Sequence, residues 1–377
     1  YRYQTAQGLM IDLEKCLNQI EKTDSIDVFL PGQHDKRSTL VFGSFLYGRD
    51  NEQTLLLNTY KTIQSGHACC MSIQGHAGIG KTSLIIKTLS HKVSSDGLFV
   101  SGKQDAIQQK SHESIKQALT TLINHLLKRY NNNINWKKKL TEALYPNGDL
   151  IRQFIPNLNQ LIDTQQVLSS ASIEQEKNRM SDGIKSLIRY ITTKEKKPLV
   201  IFLDDLHHAD QESLALIKDL IKTKIPYVLI IIAYRNNNVS KNNPLKQLNT
   251  EFHTSIILKE LSQKQIQNHM SDIFQMDLYQ KELIAFSELI YKKTNGNPFF
   301  IRQLLHHIKS KQLLIFNKSI QEWKWNIKEL NKINVSDNVA ITENTTINTL
   351  PAQTKTILIK AACLGVSFTL KELTIIT

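Results

Sequence analysis

The octapeptide Gly75-His76-Ala77-Gly78-Ile79-Gly80-Lys81-Thr82 constrains this chain more than any other stretch, because it satisfies the pattern G-x-x-x-x-G-K-[ST]. The pattern has meaning only between a buried strand and a helix. Ala68-Cys69-Cys70-Met71-Ser72-Ile73 supplies the apolar run of a strand, and Ser83-Leu84-Ile85-Ile86-Lys87-Thr88-Leu89 reads as the helix. In that setting the glycines let the backbone turn tightly, so that several N–H groups face phosphate oxygens. The helix N-terminus adds partial positive charge at the same point. Lys81 is expected to reach the β- and γ-phosphates of a nucleotide and the Thr82 hydroxyl to ligate Mg²⁺. Gly75, Gly78, Ile79, Gly80 and Ser83 complete the expected binding loop. The bland alternative, a glycine-rich strand-to-helix turn without a ligand, is disfavoured by the flanks.

A second stretch, Pro198-Leu199-Val200-Ile201-Phe202-Leu203-Asp204-Asp205, is a continuous apolar run ending in two carboxylates. Such a run marks a strand buried on both faces, and its C-terminal end is where open α/β sheets place ligands. Asp204 is suited to hold Mg²⁺, directly or through water, and Asp205 to orient or deprotonate an attacking water. His207, His208 and Asp210 follow closely. A transition-metal reading of these three competes with a plainer one, in which Asp210 caps the next helix. Tyr227-Val228-Leu229-Ile230-Ile231-Ile232-Ala233-Tyr234 is another buried strand with Arg235 at its end. If that strand neighbours the Asp204 strand, Arg235 approaches the γ-phosphate side of the site; otherwise it pairs with a surface carboxylate. Strands near 69, 98, 199, 228 and 255, separated by helices, predict an α/β fold with a parallel P-loop sheet.

The chain has 377 residues, too many for one compact core. Hydrophobic residues make up 41% and charged residues 21%, which suits a soluble globular protein. The apolar runs fall short of the ~20 residues of a membrane helix. No secretory signal is visible, and a start at Tyr1-Arg2-Tyr3 reads as a piece of something longer. Cys16, Cys69, Cys70 and Cys363 lack metal-ligand spacing, and a reduced, cytoplasmic setting follows. The net charge of +13 would favour nucleic acid or anionic lipid. However, the lysines are dispersed, and Lys137-Lys138-Lys139 and Lys194-Glu195-Lys196-Lys197 have no interleaved aromatics. A solvated lysine-rich surface is the simpler reading.

Along the chain, Leu9, Met10, Leu13, Cys16, Leu17 and Ile20 have helical spacing, and Ser25 to Phe45 reads as a linker. Leu46-Tyr47-Gly48-Arg49-Asp50-Asn51-Glu52 precedes a helical pattern from Thr54 to Ile63, and its Arg-Asp-x-Glu taken alone is ordinary capping chemistry. Gly97 to Gly102 reads as a strand, and Ser114 to Tyr130, Leu158 to Leu168 and Ile173 to Tyr190 as helices. Thr254 to Leu258 closes the strands. Helices follow near Ser262 to Phe274, Gln280 to Lys293 and Phe299 to Ser310, with Pro298 in a first turn. Leu313-Leu314-Ile315-Phe316 and Trp323-Lys324-Trp325 read as a hairpin, and Pro351 to Ala362 with a start at Thr369 as part of a helix-turn-helix unit.

Taken together, these strings resemble the STAND branch of the AAA/Orc-like P-loop ATPases. They are most similar to the ATPase segment of large bacterial hybrid proteins joining a serine/threonine kinase, this ATPase and a sensor histidine kinase. Arg2 to Leu17 resembles the last helix of the kinase domain, and Leu46-Tyr47-Gly48-Arg49 the "YGR" box. Ser101-Gly102-Lys103-Gln104-Asp105 resembles "GKFDQ", and Leu203 to Asp210 resembles "LDDLQWAD", with His207-His208 in place of Gln-Trp. Ala233 to Val239 resembles "AYRDNEV", with Asn236 and Asn238 for the acids and Asn237 between them. Lys293-Thr294-Asn295-Gly296-Asn297-Pro298-Phe299-Phe300 resembles "KTGGNPFF". Trp323-Lys324-Trp325 and Ala361-Ala362-Cys363-Leu364-Gly365 match the C-terminal part of the family pattern.

The resemblance implies an ASCE/AAA-like core at 46–260 and a helical lid at 261–312. It also implies a hairpin and partial winged-helix region at 313–377, after a kinase-like end at 1–22 and a linker at 23–45. It implies that Gly48, Arg49 and Pro298 lie around the nucleotide, Pro298 against the adenine, and that Arg235 senses the γ-phosphate. It implies ATP or ADP with Mg²⁺ as ligands, and an ADP-closed, ATP-open switch acting on kinase-like and output domains of the same polypeptide, with ATP-dependent self-association. No kinase catalytic residues are expected in this stretch. An Orc-like DNA-binding ATPase and a non-hydrolysing nucleotide-binding scaffold stay open as alternatives.

Overall fold

The computed structural model describes residues 3, 6–29, 31–32, 46–105, 111–130, 133–165, 172–235, 245, 248–252, 254–317, 322–333, 350–364 and 369–376. The strands of its larger sheet are β1 (Cys69–Gln74), β2 (Leu98–Lys103), β3 (Leu199–Asp204), β4 (Val228–Tyr234) and β5 (Thr254–Ile257). In chain order the helices begin with α1 (Ala6–Thr23), α2 (Asp50–Gln64), α3 (Lys81–Ser94), α4 (Glu113–Tyr130), α5 (Ile134–Leu144), α6 (Gly148–Phe154), α7 (Ile173–Glu195) and α8 (Gln211–Lys222). They continue with α9 (Gln263–Phe274), α10 (Lys281–Thr294), α11 (Pro298–Ser310), α12 (Ile327–Asn331), α13 (Ala352–Leu364) and α14 (Leu370–Ile376). Two compact units result, one from residues 1–48 with 260–356, the other from 49–259 with 357–377.

In the second unit the strands pair in parallel in the order β2-β3-β4-β1-β5. This is the α/β P-loop sheet expected from the strand spacing. Every residue of β3 and β4 is buried, so side chains pointing to either face of the sheet are covered. Ile201, Leu203, Ile230 and Ile232 share one apolar cluster with Leu119 and Leu122 of α4, Leu187 of α7 and Ile217 of α8. Each such side chain contributes roughly 1.5–3 kcal/mol on leaving water. That core holds the strand ends in register. Gln74 lies opposite Tyr234, Leu203 opposite Ile232, and Lys103 opposite Asp204. With β4 between β1 and β3, the loop after β1, Arg235 after β4, and Asp204 and Asp205 at the end of β3 share one edge.

Two local expectations need correction. Leu158 to Leu168 does not continue as an α-helix. Pro156–Gln160 makes a short 3-10 turn, and residues 161–165 leave it; 166–168 lie outside the described residues. The apolar spacing has another use, because Leu158, Leu161 and Ile162 are buried together in the main cluster. Asn157, Asn159 and Asp163 between them are weak helix formers. Conversely, α5 and α6 form between Tyr130 and Pro156, a stretch to which the sequence reading assigns no element. Asn133 caps α5 by accepting from the Trp136 N–H, and Trp136 stacks on Tyr130 with ring centres 4.5 Å apart. At α2, the helix starts at Asp50 rather than Thr54, and no side chain caps it. Asp50 and Glu52 instead occupy the first turn, where the helix dipole favours acids.

In the other unit, α9, α10 and α11 bury Met270, Phe274, Phe286, Ile290, Ile301 and Leu305 in a separate core. The expected hairpin is present as β6 (Leu314–Asn317) paired antiparallel with β7 (Glu322–Trp325). Trp325 sits 4.7 Å from Phe286 and 5.0 Å from Phe274, ring centre to ring centre. The Asn295-Gly296-Asn297-Pro298 string is the joint between α10 and α11. Asn295 ends α10 in a left-handed conformation, and Gly296 has φ +76°. A Cβ there would fall 2.1 Å from the Leu261 carbonyl oxygen, so glycine is required. Asn297 accepts from the Phe299 N–H, and Pro298 fills the first position of α11, as the sequence suggests. The α1 helix forms as its spacing indicates, with Leu13 and Leu17 exposed. Among the described residues no helix is long and apolar enough to cross a membrane. The Asn236-Asn237-Asn238 segment lies outside the described residues.

Candidate functional site

The loop between β1 and α3 carries Gly75, Gly78, Ile79 and Gly80, and α3 opens with Lys81, Thr82 and Ser83. Gly80 precedes the helix with φ +98° and ψ +21°, a left-handed conformation that a side chain would strain. The Lys81 side chain is nearly buried and folds over the same loop, its Nζ donating to the carbonyls of Gly75 at 2.9 Å and His76 at 3.0 Å. Burial lowers the Lys81 pKa, while Asp205 and Asp204 act to keep it charged. A phosphate oxygen is the stronger acceptor for this ammonium, being anionic where the carbonyls are neutral.

Thr82 Oγ1 donates to Asp204 Oδ2 at 2.6 Å, and the Asp205 N–H donates to Asp204 Oδ1 at 2.9 Å. Asp204 is buried, and that burial raises its pKa; the Thr82 hydrogen bond opposes the shift and the adjacent Asp205 charge reinforces it. A hydroxyl and a destabilised carboxylate held this close form a hard-oxygen donor pair. Their chemistry fits Mg²⁺, which would relieve the buried charge. Asp205 leaves the strand in a left-handed conformation, φ +53°. Its Oδ2 meets Lys103 Nζ at 3.1 Å. The Lys103 side chain is half exposed, so this pair adds at most about 1 kcal/mol to stability.

Arg235 follows Tyr234, the register partner of Gln74, which places it beside the loop. Its charge is felt by Lys81, whose protonated form it disfavours. Arg49 is buried and donates from Nη2 to the Lys259 carbonyl at 2.7 Å and, more weakly, to the Ile79 carbonyl at 3.4 Å. Its Nη1 lies 3.5 Å from Glu52 Oε1. Arg49 therefore ties the phosphate-binding loop to the end of β5. The sheet unit thus gathers Arg49, residues 75–83, Asp204, Asp205 and Arg235. Gly48 and Pro298 belong to the helical unit, where Gln265 Nε2 donates to the Gly48 carbonyl at 3.1 Å.

Sequence reasoning missed Lys103 as a neighbour of Asp205. The strand expected at 97–102 stops one residue short of it, and nothing local says that β2 lies beside β3. The metal reading of His207, His208 and Asp210 finds no support: among the described residues no group of three or more His, Cys, Asp or Glu side chains is arranged to hold a metal. Asp210 is the cap of α8, its Oδ1 accepting from the Ser213 N–H at 2.6 Å.

Residues 46–231 match the family model described as the AAA ATPase domain. Sheet order and loop are those of an α/β P-loop NTPase fold. The chain is 24% identical over 457 aligned residues to "Hybrid signal transduction histidine kinase G" of Dictyostelium discoideum, covering 99% of this chain and 13% of that protein. It is 21% identical to "Peroxide stress-activated histidine kinase mak3" of Schizosaccharomyces pombe, covering 97% of this chain and 19% of that protein. The chain thus spans less than one-fifth of the length of either curated relative. Among solved structures, the Aeropyrum pernix ORC2 protein in its ADPNP–ADP complexes aligns with a TM-score of 0.47 and 13% identity, over 89% of this chain and 80% of that one.

Proposed function

We propose that this chain is an ATP-binding regulatory module that hydrolyses ATP slowly and passes its nucleotide state to other domains of a longer signalling polypeptide. The observation that carries the reading is the convergence at one sheet edge of Lys81, the Thr82–Asp204 pair, Asp205 and Arg235. In this reading Lys81 and the amides of Gly75 to Ser83 bind the phosphates. Mg²⁺ at Thr82 and Asp204 would neutralise charge on the β- and γ-phosphate oxygens. Asp205 aligns the attacking water, and Arg235 responds to the γ-phosphate. Arg49 serves the nucleoside side.

The signalling half of the proposal draws on the relatives' names, a hybrid signal transduction histidine kinase and a stress-activated histidine kinase. The partners are then kinase-like and output domains of the same polypeptide, with self-association in the ATP state. The ADP form is the resting one, and ATP exchange opens it. Hydrogen exchange on the protein with Mg·ADP and with Mg·ATP tests the switch. The expected outcome is a difference in protection in the loop after β1, at the end of β3 and in the α9–α11 helices. Identical patterns with the two nucleotides would exclude a switch.

A further inference from the structure

Two basic stretches that are far apart in sequence meet in the sheet unit. The first, residues 128–139, runs from the end of α4 into α5; the second, residues 189–197, is the end of α7 and the approach to β3. Nine of their 21 residues are Lys or Arg, against 47 of 377 in the whole chain, so a general lysine bias does not account for them. Glu195 is the one acid in either stretch. It accepts from the Tyr130 hydroxyl and lies 3.3 Å from Arg129 Nη1 and 3.6 Å from Lys197 Nζ, which fastens the end of α7 to the end of α4. Trp136 completes the joint, stacked on Tyr130 and edge-on to Tyr190 at 5.9 Å between ring centres.

Local pairing cancels little of this charge. Asp163 takes Lys137 at 3.2 Å, and Glu142 acts on Tyr190. Lys128, Lys138, Lys139, Arg189, Lys194 and Lys196 are exposed and have no ion pair among the described residues. Helix dipoles explain part of the pattern, since Lys128, Arg129 and Lys194 stand in last turns, where cations are favoured. They do not explain Lys138 and Lys139, in the first half of α5, or Lys196 beyond α7. A cluster of exposed like charges repels itself and is relieved by a surface of opposite sign. Within the first stretch stands Ile134, 84% exposed, and i to i+4 spacing puts it on the same side of α5 as Lys138.

We propose that this face docks on an anionic lipid surface, with the lysines among the headgroups and Ile134 entering the boundary to the acyl chains. Clusters of about 4–8 Lys/Arg are of the size that holds a protein to such a surface, and an apolar side chain among them adds to the binding. Nucleic acid fits less well. Most of the cations are lysines, which act as point charges, and base stacking needs open aromatic faces. Here Trp136 is buried and Tyr130 is stacked against it. An exposed isoleucine gains nothing against a phosphate backbone. Lys197 lies two residues before β3 and Asp204 ends that strand, so roughly 20 Å of strand separates this face from the candidate nucleotide site. The inference therefore stands or falls apart from the ATPase reading.

The test is flotation of the full chain with vesicles of phosphatidylcholine alone and of phosphatidylcholine with about 30% phosphatidylserine. It is run at about 0.1 M and about 1 M salt, which shortens the reach of charge from about 10 Å to about 3 Å. The variants are Lys138→Glu/Lys139→Glu, Lys194→Gln/Lys196→Gln and Ile134→Ser. Lys264→Glu/Lys281→Glu is the control, the same charge change as the first pair on exposed residues of the other unit. All the substituted side chains are exposed, so melting temperatures should match wild type. Wild type should float with the phosphatidylserine vesicles at low salt and with neither kind at high salt. Each cation near such a surface strengthens binding by roughly fivefold. Both patch pairs should lose about tenfold or more, Ile134→Ser about threefold, and the control less than about threefold.

Wild-type protein that stays unbound at low salt overturns the inference. So does a control that loses as much as Lys138→Glu/Lys139→Glu, since net charge and not this face would then be binding. Tighter binding to duplex DNA of about 20 base pairs than to the vesicles, weakened by the same patch variants, overturns the lipid assignment in favour of nucleic acid. None of these outcomes bears on ATP binding at Lys81.

Discussion

Replacing Arg49 by alanine isolates a contact that the fold places between the phosphate-binding loop and the sheet. The guanidinium is buried and donates to the Lys259 carbonyl at 2.7 Å. A hydrogen bond from a charged donor contributes about 1.5–3 kcal/mol. The longer contact to the Ile79 carbonyl, 3.4 Å, adds little by itself. The partly buried pair with Glu52 at 3.5 Å adds up to about 1 kcal/mol. Arg49→Ala should therefore lower stability by about 2–4 kcal/mol. For a unit of this size each kcal/mol corresponds to about 2–4 °C in melting temperature, so a fall near 10 °C is expected. Glu52→Ala should cost less than about 1 kcal/mol, since it leaves both carbonyl contacts in place. Urea unfolding of the single and double variants gives the coupling directly. A loss below about 0.5 kcal/mol in Arg49→Ala, the level of an ordinary surface substitution, would refute the reasoning, because it would mean that Arg49 does not fasten the loop.

Other variants separate chemistry from stability. Asp205→Asn should keep ATP affinity and slow turnover by about 10²-fold or more, the scale of general acid–base groups; phosphate release at saturating Mg·ATP checks it. Asp210→Ala should lower stability by about 1 kcal/mol through loss of the α8 cap, with unchanged nucleotide affinity by calorimetry. Asp219 is shifted below the usual carboxylate range: burial opposes this, but hydrogen bonds from Lys185 Nζ and Ser181 Oγ, each at 2.5 Å, outweigh it. A lowered pKa gives stability that is present above the ordinary carboxylate pKa and lost as pH falls through the lowered one. Melting temperatures followed from neutral pH into acid should fall less steeply in Asp219→Asn than in wild type.

How much of this was legible in the sequence depends on which interactions are local. Strands β1, β3 and β4 announce themselves because burial on both faces demands unbroken apolar runs, and Gly75 to Thr82 because the loop needs fixed residue types. Asp210 is legible as a cap, since its partner, the Ser213 N–H, is only three residues away. Sheet order is another matter. That β4 lies between β1 and β3 follows from packing of the whole unit, and only then does Arg235 fall beside the loop. Lys103 meets Asp205 across strands whose sequence positions differ by about a hundred residues, and no periodicity marks it. The burial of the His207 ring is likewise a property of the assembled edge. In sequence His207-His208 suggests a metal site, and the structure instead leaves the His207 nitrogens unpartnered. The stretch after Pro156 misleads for the opposite reason: its helical apolar spacing is real, but weak helix formers let a 3-10 turn bury the same side chains.

The central claim is that this P-loop binds ATP through Lys81. Calorimetric titration of Mg·ATP into wild-type protein freed of nucleotide, and into Lys81→Ala, tests it most directly. The account expects one saturable site in wild type and a loss of roughly 30-fold or more in Lys81→Ala, as for removal of one partner of a buried charge pair. Equal affinity in both proteins, or a wild-type site that takes up no nucleotide, would contradict it.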